Sequence, residues 1–507
     1  MHVSNGCPAA SSCCALLLLL FSWLFSPRSL SAAEPATDLA RVSQYVEQAL
    51  DEFGVPGASL AIVHEGDIAH LQSWGETGGA PTPVTPQTPF LIGSNSKALT
   101  AYAIMILIHE GKVQLDAPVS TYLPEFTMAS RRASKITVWQ LLAHHSGIST
   151  ESGLHLADHA ENDPQALQHS LTRLAHESLI AQPGAAYQYS AANYALLGAI
   201  IERVSGQTFA DFLQARVFGP LGMEHAAASE AAALAAGWQP GYRAWWGVPF
   251  RSGLPYDTAG APYGYIAASA EDMGRFLSAL QRPGAALPER ETQWYLDPLA
   301  PASDLGAYGF GWRIGSTRDN LTRIWHAGST ADFHSEVFLL PESGWGFALL
   351  ANRSHPLEAD QLHALALGIE ALLLGETPPP VEASWHPVWL YGSAIVAALA
   401  ALLAGLARHL RHAPRHAFSP WWNVGGTLTL ASGLALIPTA LHRLQIPLRT
   451  LALTAPDLVI LASIVAGLLS ALGLLAIFHS RPHHQNSRNE TSASPSHEHY
   501  LESCQYS

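Results

Sequence analysis

Three long apolar stretches without a charged residue lie near the C-terminal end of the chain. They cover residues 388–407, 421–441 and 458–478, and tryptophans stand near the ends of the first two. Each stretch is about 20 residues long, which is what an α-helix needs to cross the ~30 Å hydrocarbon core of a bilayer. Tryptophan is enriched at the boundary between membrane and water. The pattern therefore predicts three transmembrane helices within residues 388–478.

Short apolar runs mark strands near both ends of the region that precedes these stretches. Residues 59–64 and 68–74 flank one glycine-containing turn, and residues 336–340 and 345–352 flank another. Pairs of apolar runs around such turns are typical of β-hairpins. We therefore predict one hairpin at each end of this region.

Helical patterns lie between the two hairpins. One covers residues 97–110 and ends at Gly111, and another covers residues 194–204 and ends at Ser205-Gly206. Glycine directly after an apolar helical pattern is a common stop signal. Terminal hairpins with helices inserted between them indicate an antiparallel sheet flanked by helices. We predict an α/β fold of the α+β type, with this sheet and a helical subdomain, followed by the three membrane helices.

The N-terminal segment has the features of an export signal. The apolar run 15–25 is followed by the small residues Ser31-Ala32-Ala33, a pattern that suits cleavage by signal peptidase. No Lys or Arg precedes the run, so an uncleaved anchor is the alternative. With a cleaved signal, the globular region lies outside the cytoplasm. Arg408, Arg411 and Arg415 then fall in a cytoplasmic loop, in agreement with the positive-inside rule.

Composition sets the remaining boundaries. The segment Glu376-Thr377-Pro378-Pro379-Pro380 is a stiff spacer. The tail after His479 is rich in Ser, His and Asn, which predicts disorder. We therefore expect a signal peptide over 1–33, a globular domain over 34–375, a linker over 376–387, membrane helices over 388–478 and a disordered tail over 479–507.

Charge and cysteine content argue against several classes of function. The net charge is −14 and no basic stripe is present, so nucleic acid is not expected as a partner. The four cysteines are Cys7, Cys13, Cys14 and Cys504. The globular domain therefore has no cysteine for a disulfide, a thiol nucleophile or a metal site.

The chain contains one Ser-x-x-Lys motif. Ser94-Asn95-Ser96-Lys97 stands where the first helical pattern begins, so a helix would bring Ser94 and Lys97 onto one face, one turn apart. The other lysines, Lys112 and Lys135, have no serine three residues before them. A partly buried lysine with a lowered pKa can take the proton of a serine hydroxyl and so activate a nucleophile. A helix N-cap serine beside an exposed lysine is the structural alternative.

Further short blocks accompany this motif over residues 40–375. They are Val55-Pro56-Gly57-Ala58, Ile92-Gly93-Ser94-Asn95-Ser96-Lys97, Leu115-Asp116-Ala117-Pro118-Val119 with Tyr122-Leu123-Pro124, Leu141-Leu142-Ala143-His144-His145-Ser146-Gly147, Pro183-Gly184, Tyr189-Ser190-Ala191-Ala192-Asn193-Tyr194, Pro220-Leu221-Gly222-Met223 and His326-Ala327-Gly328. In this order they resemble the class C β-lactamase and D-alanyl-D-alanine peptidase family, which also includes esterases and D-amino peptidases. The resemblance implies a β-lactamase/transpeptidase-like fold and an acyl-enzyme on Ser94, with no metal and no cofactor.

The resemblance also implies roles for further residues. Tyr189 matches a tyrosine that faces the Ser–Lys pair, where a nearby ammonium would help it ionise and carry a proton to the leaving group. His326 and Gly328 match a His-x-Gly motif on the strand beside the nucleophile. The backbone N–H groups of Ser94 and Ser329 would form the oxyanion hole. The expected catalytic residues are thus Ser94, Lys97 and Tyr189, and the expected substrate-binding residues are His326, Gly328 and Ser329.

The chain departs from the family pattern in the second motif. The family has Tyr-x-Asn there, whereas this chain has Tyr189-Ser190-Ala191. The missing amide normally contacts substrate and lysine, so its loss puts β-lactam hydrolysis in doubt. Asn193 matches a different family position and is not the replacement. His144-His145 lacks the spacing and acidic neighbours of a zinc site, and we expect it to be structural.

The whole architecture resembles periplasmic peptidases of the colibactin-maturation type. These enzymes have a leader, a β-lactamase-like body and three C-terminal membrane helices, and they remove an acyl-D-asparagine cap after export. This chain differs at Ala191 and at Ser329-Thr330, near where the side chain of the cap is read. The resemblance implies a peptidase or amidase on peptides with a D-residue. It would be anchored in the bacterial inner membrane, with its hydrolase domain in the periplasm.

Three other functions stay open at this point. They are a carboxylesterase, which Ala191 favours, a β-lactamase, and a catalytically idle membrane sensor or binding protein, against which the complete Ser94, Lys97 and Tyr189 set argues. The expected partners are a small peptide, ester or β-lactam-like substrate and the membrane. The membrane helices could also contact a transporter or a second copy of the chain. The natural substrate and the oligomeric state do not follow from the sequence.

Overall fold

The structure is a computed structural model that describes residues 38–282, 284, 287–296, 300–303, 306–382, 387–412 and 420–479. The chain divides into two compact units, one up to residue 384 and one from residue 385 onward. The predicted signal peptide (1–33) and the predicted tail after residue 479 lie outside the described residues.

Both predicted hairpins are present, and they meet in one sheet. Helix α1 (Leu39–Phe53) leads into β1 (Gly57–His64), which pairs antiparallel with β2 (Asp67–Gly75). The second hairpin consists of β11 (His334–Leu340) and β12 (Trp345–Ala351). Strand β1 pairs antiparallel with β12 along its length. The first and last strands of the main sheet, in sequence order, are therefore direct neighbours.

Four more strands complete the main sheet. They are β7 (Ala300–Ser303), β8 (Gly306–Tyr308), β9 (Arg313–Ser316) and β10 (Thr322–Ser329). The order is β2-β1-β12-β11-β10-β9-β8-β7, and every neighbouring pair is antiparallel. Two small sheets are additional: β3 (Phe90–Leu91) with β6 (Ala267–Ala268), and β4 (Tyr242–Trp245) with β5 (Val248–Arg251) and β13 (Arg353–Ser354).

Helices fill the sequence between the two hairpins, as predicted. The two helical patterns correspond to α2 (Ser96–His109) and α6 (Ala191–Ser205). The others between the hairpins are α3 (Val138–Leu142), α4 (Thr150–Leu154), α5 (Ala166–Thr172), α7 (Phe209–Leu213), α8 (Gly219–Leu221), α9 (Glu230–Ala235), α10 (Ala270–Gln281) and α11 (Glu289–Leu296). Helix α12 (Ala359–Leu373) follows the second hairpin. The predicted antiparallel sheet flanked by helices is confirmed.

Both faces of the sheet are covered, which explains the continuous apolar run of β1. Side chains alternate between the two faces of a strand. Leu60 and Ile62 pack in a cluster with α1 and α12, whereas Ala61 and Val63 belong to the larger core that contains α2 and α10. Nearly every position of β1 is therefore buried. The larger core holds the nucleophile motif at the start of α2.

The second unit is helical. It contains α13 (Pro387–His412), α14 (Pro420–Leu444), α15 (Leu448–Thr454) and α16 (Pro456–His479). Three segments, Val388–His409, Trp421–Leu444 and Pro456–Phe478, are long and apolar enough to cross a membrane. They coincide with the three stretches predicted from the sequence.

Candidate active site

Ser94 lies in a tight turn that leads into α2. The turn, Gly93–Asn95, is a single 3-10 turn, and α2 begins at the next residue. The side chain of Ser335 on β11 holds this turn: its hydroxyl donates to the Ile92 carbonyl at 2.7 Å and accepts from the Asn95 amide at 2.8 Å. The nucleophile candidate is therefore fixed to the central sheet through buried polar contacts.

Two glycines let the turn contact the end of β10 through backbone atoms. Gly93 has a φ of +52°, and a Cβ there would lie 2.3 Å from the Ser329 nitrogen. A Cβ on Gly328 would lie 2.1 Å from the Ile92 oxygen and 2.9 Å from the Ser94 nitrogen. Only glycine allows such an approach without a shift of the backbone. The amides of Ser94 and Ser329, predicted as oxyanion-hole donors, lie on the two sides of this contact.

Lys97 lies under Ser94 and is almost fully buried. Its ammonium donates to Ser94 Oγ at 3.0 Å and to the Tyr263 carbonyl at 2.6 Å, and only 2% of the residue is exposed. Burial, with a smaller contribution from the Arg313 guanidinium, lowers the pKa of Lys97 from 10.5 to about 7. Near neutral pH much of the amine is therefore unprotonated. It can then accept the Ser94 proton while it still donates to Tyr263.

Tyr189 completes a triangle around the Ser94 hydroxyl. Its phenol donates to Ser94 Oγ at 2.9 Å, and Lys97 Nζ lies 5.0 Å from the centroid of its ring. The expectation that Tyr189 ionises more easily is wrong. Burial raises its pKa to about 12, although the Ser94 hydrogen bond and Arg313 act in the opposite direction. Tyr189 is thus a neutral donor, and Lys97 is the group poised to act as a base.

His326 is placed beside this triangle on β10. It is buried, its Nδ1–H donates to the Ala327 carbonyl at 2.6 Å, and its Nε2 lies 3.3 Å from the Tyr308 hydroxyl. Burial and the charges of Arg313 and Lys97 hold the pKa of His326 well below its usual range. The imidazole is therefore neutral. A direct contact between His326 and substrate stays a prediction.

Ala191, in the Tyr189-Ser190-Ala191 motif, and the nearby Asn193 have different surroundings. Ala191 is the first residue of α6, whereas Asn193, two residues further on, is fully buried. Asn193 accepts from the Ser146 hydroxyl at 2.6 Å and donates to His144 Nδ1 at 2.8 Å. Its amide is thus engaged away from the Ser94 hydroxyl, and it does not replace the asparagine that the family has at the position of Ala191.

His144 has the structural role that the sequence predicted. It is fully buried, and its Nδ1 also accepts from the backbone N–H of Ser190 at 3.2 Å. Its ring lies 4.4 Å from that of Tyr189, centroid to centroid. His144 therefore helps to fix the loop that carries Tyr189. No group of three His, Cys, Asp or Glu side chains among the described residues is placed to hold a metal ion.

Arg313 is a residue of the site that the sequence did not reveal. It lies on β9 with its guanidinium 5.8 Å from the centroid of the Tyr189 ring and 5.5 Å from that of Trp325. It is only partly exposed and forms no ion pair with a carboxylate among the described residues. A partly desolvated cation beside the nucleophile can attract an anionic group. Its neighbours in sequence, Trp312 and Ile314, gave no sign of this position.

Comparison with known proteins finds similar sequences over most of the first unit. A family model described as Beta-lactamase matches residues 42–371. The protein named Protein flp from Staphylococcus aureus (strain N315) is 27% identical over 316 residues, which are 62% of this chain and 62% of that protein. A second relative, Unguisins hydrolase ungD' from Aspergillus campestris, is 26% identical over 337 residues, with 62% of this chain and 61% of that protein covered.

Solved structures show the same fold. The octameric penicillin-binding protein homologue from Pyrococcus abyssi is 25% identical, with a TM-score of 0.59. The match covers 71% of this chain and 81% of that one. The chain spans less than two thirds of the length of the curated relatives that it matches in sequence.

Proposed function

The chain belongs to the beta-lactamase family of serine hydrolases, and we propose that it forms an acyl-enzyme on Ser94 and cleaves amide bonds next to a D-residue. The observation that carries the proposal is the position of the Ser94 hydroxyl, 3.0 Å from Lys97 Nζ and 2.9 Å from the Tyr189 hydroxyl. An idle binding protein has no need of a buried lysine whose amine is hydrogen-bonded to both a serine hydroxyl and a backbone carbonyl.

The proposed reaction begins with neutral Lys97. As Ser94 Oγ attacks the substrate carbonyl, its proton passes to Lys97 Nζ, which becomes an ammonium. The N–H groups of Ser94 and Ser329 stabilise the oxyanion, where each donor contributes ~3 kcal/mol. The carbon–nitrogen bond then breaks, and the proton returns through the Tyr189 hydroxyl to the leaving amine. Attack of water on the acyl-enzyme repeats these transfers and restores Ser94.

The substrate class is inferred from resemblance and from charge. The layout of the chain resembles periplasmic peptidases that act on a D-residue, and a relative in sequence is named a hydrolase of unguisins. Arg313 supports a substrate with an anionic group near the scissile bond, because its guanidinium lies over Tyr189 without a carboxylate partner among the described residues. The specific biological role that we propose is maturation of an exported natural-product precursor.

A carboxylesterase is the second candidate. Ala191 leaves no side-chain amide at the start of α6 to hold the peptide group of a substrate. Esters need that hydrogen bond less than amides do, because their leaving group requires less help from a proton donor. The same Ser94, Lys97 and Tyr189 machinery would serve both reactions.

Covalent labelling tests the nucleophile. A fluorophosphonate probe is expected to modify Ser94, identified by mass spectrometry of the full-length protein in detergent. Ser94→Ala should not be labelled, whereas Ser134→Ala, a change at an exposed serine, should be labelled as the parent is. Full labelling of the Ser94→Ala variant would overturn the proposal.

In this proposal the chain is anchored in the membrane, and its hydrolase domain lies outside the cytoplasm. The anchoring rests on the three helices that are long and apolar enough to cross a membrane. The orientation rests on the predicted export signal and on Arg408, Arg411 and Arg415. Reporter fusions should give an extracytoplasmic signal at residue 380 and cytoplasmic signals at residues 412 and 490. A cytoplasmic signal at residue 380 would reverse the orientation.

A further inference from the structure

One hairpin of the hydrolase domain carries exposed apolar side chains. It consists of β4 and β5, which are joined by the turn Trp246-Gly247. Trp245 and Val248 are paired directly across the two strands, and they are 41% and 59% exposed. The proposed chemistry at Ser94 does not use this hairpin.

The strand register places the apolar side chains on one face of the hairpin. Arg243 is paired with Phe250, and Trp245 with Val248, so these four side chains share a face. The Phe250 ring contacts the Trp245 ring edge to face, and the Arg243 guanidinium lies 4.9 Å from its centroid. Ala244, on the other face, is fully buried. The hairpin therefore has a buried side and an exposed side that is aromatic and basic.

The turn at the hairpin tip contains an unexpected residue. Trp246 and Gly247 have φ values of +50° and +78°, and positive φ at both central residues is typical of a type I′ turn. Such a turn favours Asn, Asp or Gly at its first central position, and a bulky side chain at positive φ is an outlier. The preference of the turn therefore does not explain Trp246. Its ring lies 5.5 Å from that of Trp245, centroid to centroid, and extends the aromatic surface.

Arg353 ties the hairpin tip to helix α1. Its guanidinium donates to the Gly247 carbonyl at 2.8 Å, and to the Phe53 and Gly54 carbonyls at 2.9 and 2.7 Å. Arg353 is 3% exposed and also forms an ion pair with Glu358. The hairpin is therefore a fixed element of the domain, held at the C-terminal end of α1.

The linker that precedes the apolar C-terminal segments contacts the same helix. The Tyr45 hydroxyl on α1 donates to the Pro379 carbonyl at 3.2 Å, and Val381 packs against the cluster that α1 and α12 form with the sheet. The three segments that follow the linker in sequence are long and apolar enough to cross a membrane. The hairpin tip and the linker to these segments are thus both attached to α1.

The charge of the hairpin favours an anionic partner. Residues 231–256 include Arg243 and Arg251 but no Asp or Glu, in a chain of net charge −14. Arg251 lies 3.8 Å from Glu76, but both side chains are about half exposed, so this ion pair is weak. The same face of a second copy would bring arginine against arginine, because a twofold interface joins identical surfaces. Tryptophan together with arginine instead suits the headgroup layer of a bilayer with anionic lipids.

We propose that this hairpin docks the hydrolase domain onto the surface of the bilayer. Trp245, Trp246 and Val248 enter the headgroup layer, and Arg243 and Arg251 face anionic phosphates. The inference rests on the membrane anchoring in the proposed function and goes beyond it, because anchoring alone leaves the domain free on its linker. The partner is the interfacial region of a membrane that contains anionic phospholipid.

Quenching of a fluorophore by lipid tests docking on the full-length protein. The four native cysteines are replaced by serine, one new cysteine is labelled with the fluorophore NBD, and single copies are placed in nanodiscs of phosphatidylcholine and phosphatidylglycerol, with or without nitroxide lipid. Val248→Cys is the test position, and Ile180→Cys is the control because both side chains are 59% exposed. Leu428→Cys on α14 shows whether the apolar segments lie in the bilayer.

We expect nitroxide lipid to quench the label at residue 248 several-fold more than the label at residue 180. Adding Trp246→Asn should reduce the quenching at residue 248 without lowering the temperature of thermal unfolding, since asparagine suits a type I′ turn. Adding Arg251→Gln should lower the ratio of docked to free domain by about fivefold with phosphatidylglycerol. In discs of phosphatidylcholine alone it should have little effect.

Other results count against docking. Equal quenching at residues 180 and 248, or quenching at residue 428 without quenching at residue 248, would overturn the inference. Quenching at residue 248 that neither Trp246→Asn nor Arg251→Gln reduces would also overturn it. Protection of residue 248 only when two copies share a disc would assign the surface to a second copy instead. If the label at residue 428 is not quenched, the proposed anchoring itself fails, so the two failures are distinguishable.

Discussion

The two halves of the candidate site differ in burial and in their agreement with the family. The proposed proton-transfer half consists of Ser94, Lys97 and Tyr189, the set that the sequence resemblance predicts, with Lys97 only 2% exposed. The recognition half includes Ala191, Arg313 and the exposed Ser329. By the sequence resemblance, it departs from the family pattern at Ala191, and at Ser329-Thr330 from the pattern of the narrower group of natural-product peptidases. The difference indicates that the chemistry is set by buried geometry, whereas substrate choice rests on positions that can change without loss of the fold.

The largest expected effect is the loss of the base in the proton-transfer half. Lys97→Met keeps the apolar stem of the side chain but removes the amine, so Ser94 has no group to accept its proton. We expect fluorophosphonate labelling of Ser94 to slow by about 10²–10⁴-fold. Lys112→Met is the control, because that side chain is 51% exposed and pairs with Glu110. A Lys97→Met variant labelled within a few-fold of the parent rate would remove Lys97 from the mechanism.

A smaller effect is expected at the phenol. Tyr189→Phe removes the hydrogen bond to Ser94 Oγ and the route by which a proton reaches the leaving amine. An amide substrate should lose about 10²-fold in kcat/KM, and a p-nitrophenyl ester should lose less because its leaving group needs no proton. Tyr187→Phe is the control, since the Tyr187 hydroxyl has no hydrogen-bond partner among the described residues. Equal losses on both substrates would show that Tyr189 does not protonate the leaving group.

The smallest effect belongs to the recognition half. Ala191→Asn restores the side-chain amide of the family motif and should raise the ratio of amide to ester kcat/KM by about fivefold, as expected for one hydrogen bond. The same substitution at the exposed Ala185 should leave the ratio unchanged. Efficient β-lactam hydrolysis by the parent, or an unchanged ratio in Ala191→Asn, would show that residue 191 does not discriminate between substrates.

Local patterns in the sequence were sufficient for much of the fold. The two hairpins follow from short apolar runs around glycine turns, and α2 and α6 follow from apolar patterns that end at glycine. Strand β9 and the small sheet of β4, β5 and β13 were not predicted. Their strands are two to four residues long, so they carry no period that a sequence can reveal. Their positions depend on tertiary packing.

Some residues of the candidate site were also predictable from the sequence, whereas others depend on tertiary packing. Ser94 and Lys97 are three residues apart, so the helical period alone brings them together. The family resemblance supplied Tyr189 and the strand end at His326. The Tyr263 carbonyl and Arg313 come from segments that are distant in sequence from Ser94. The raised pKa of Tyr189 depends on its burial, which no local pattern shows.

The pH dependence of Ser94 labelling tests the central claim most directly. The claim is that burial lowers the pKa of Lys97 to about 7, so that the neutral amine activates Ser94. The rate of fluorophosphonate labelling should rise with pH as Lys97 loses its proton, reach half of its maximum near pH 7, and then level off. A rate that does not change through this range, or that keeps rising toward the ordinary lysine pKa of 10.5, would contradict the account.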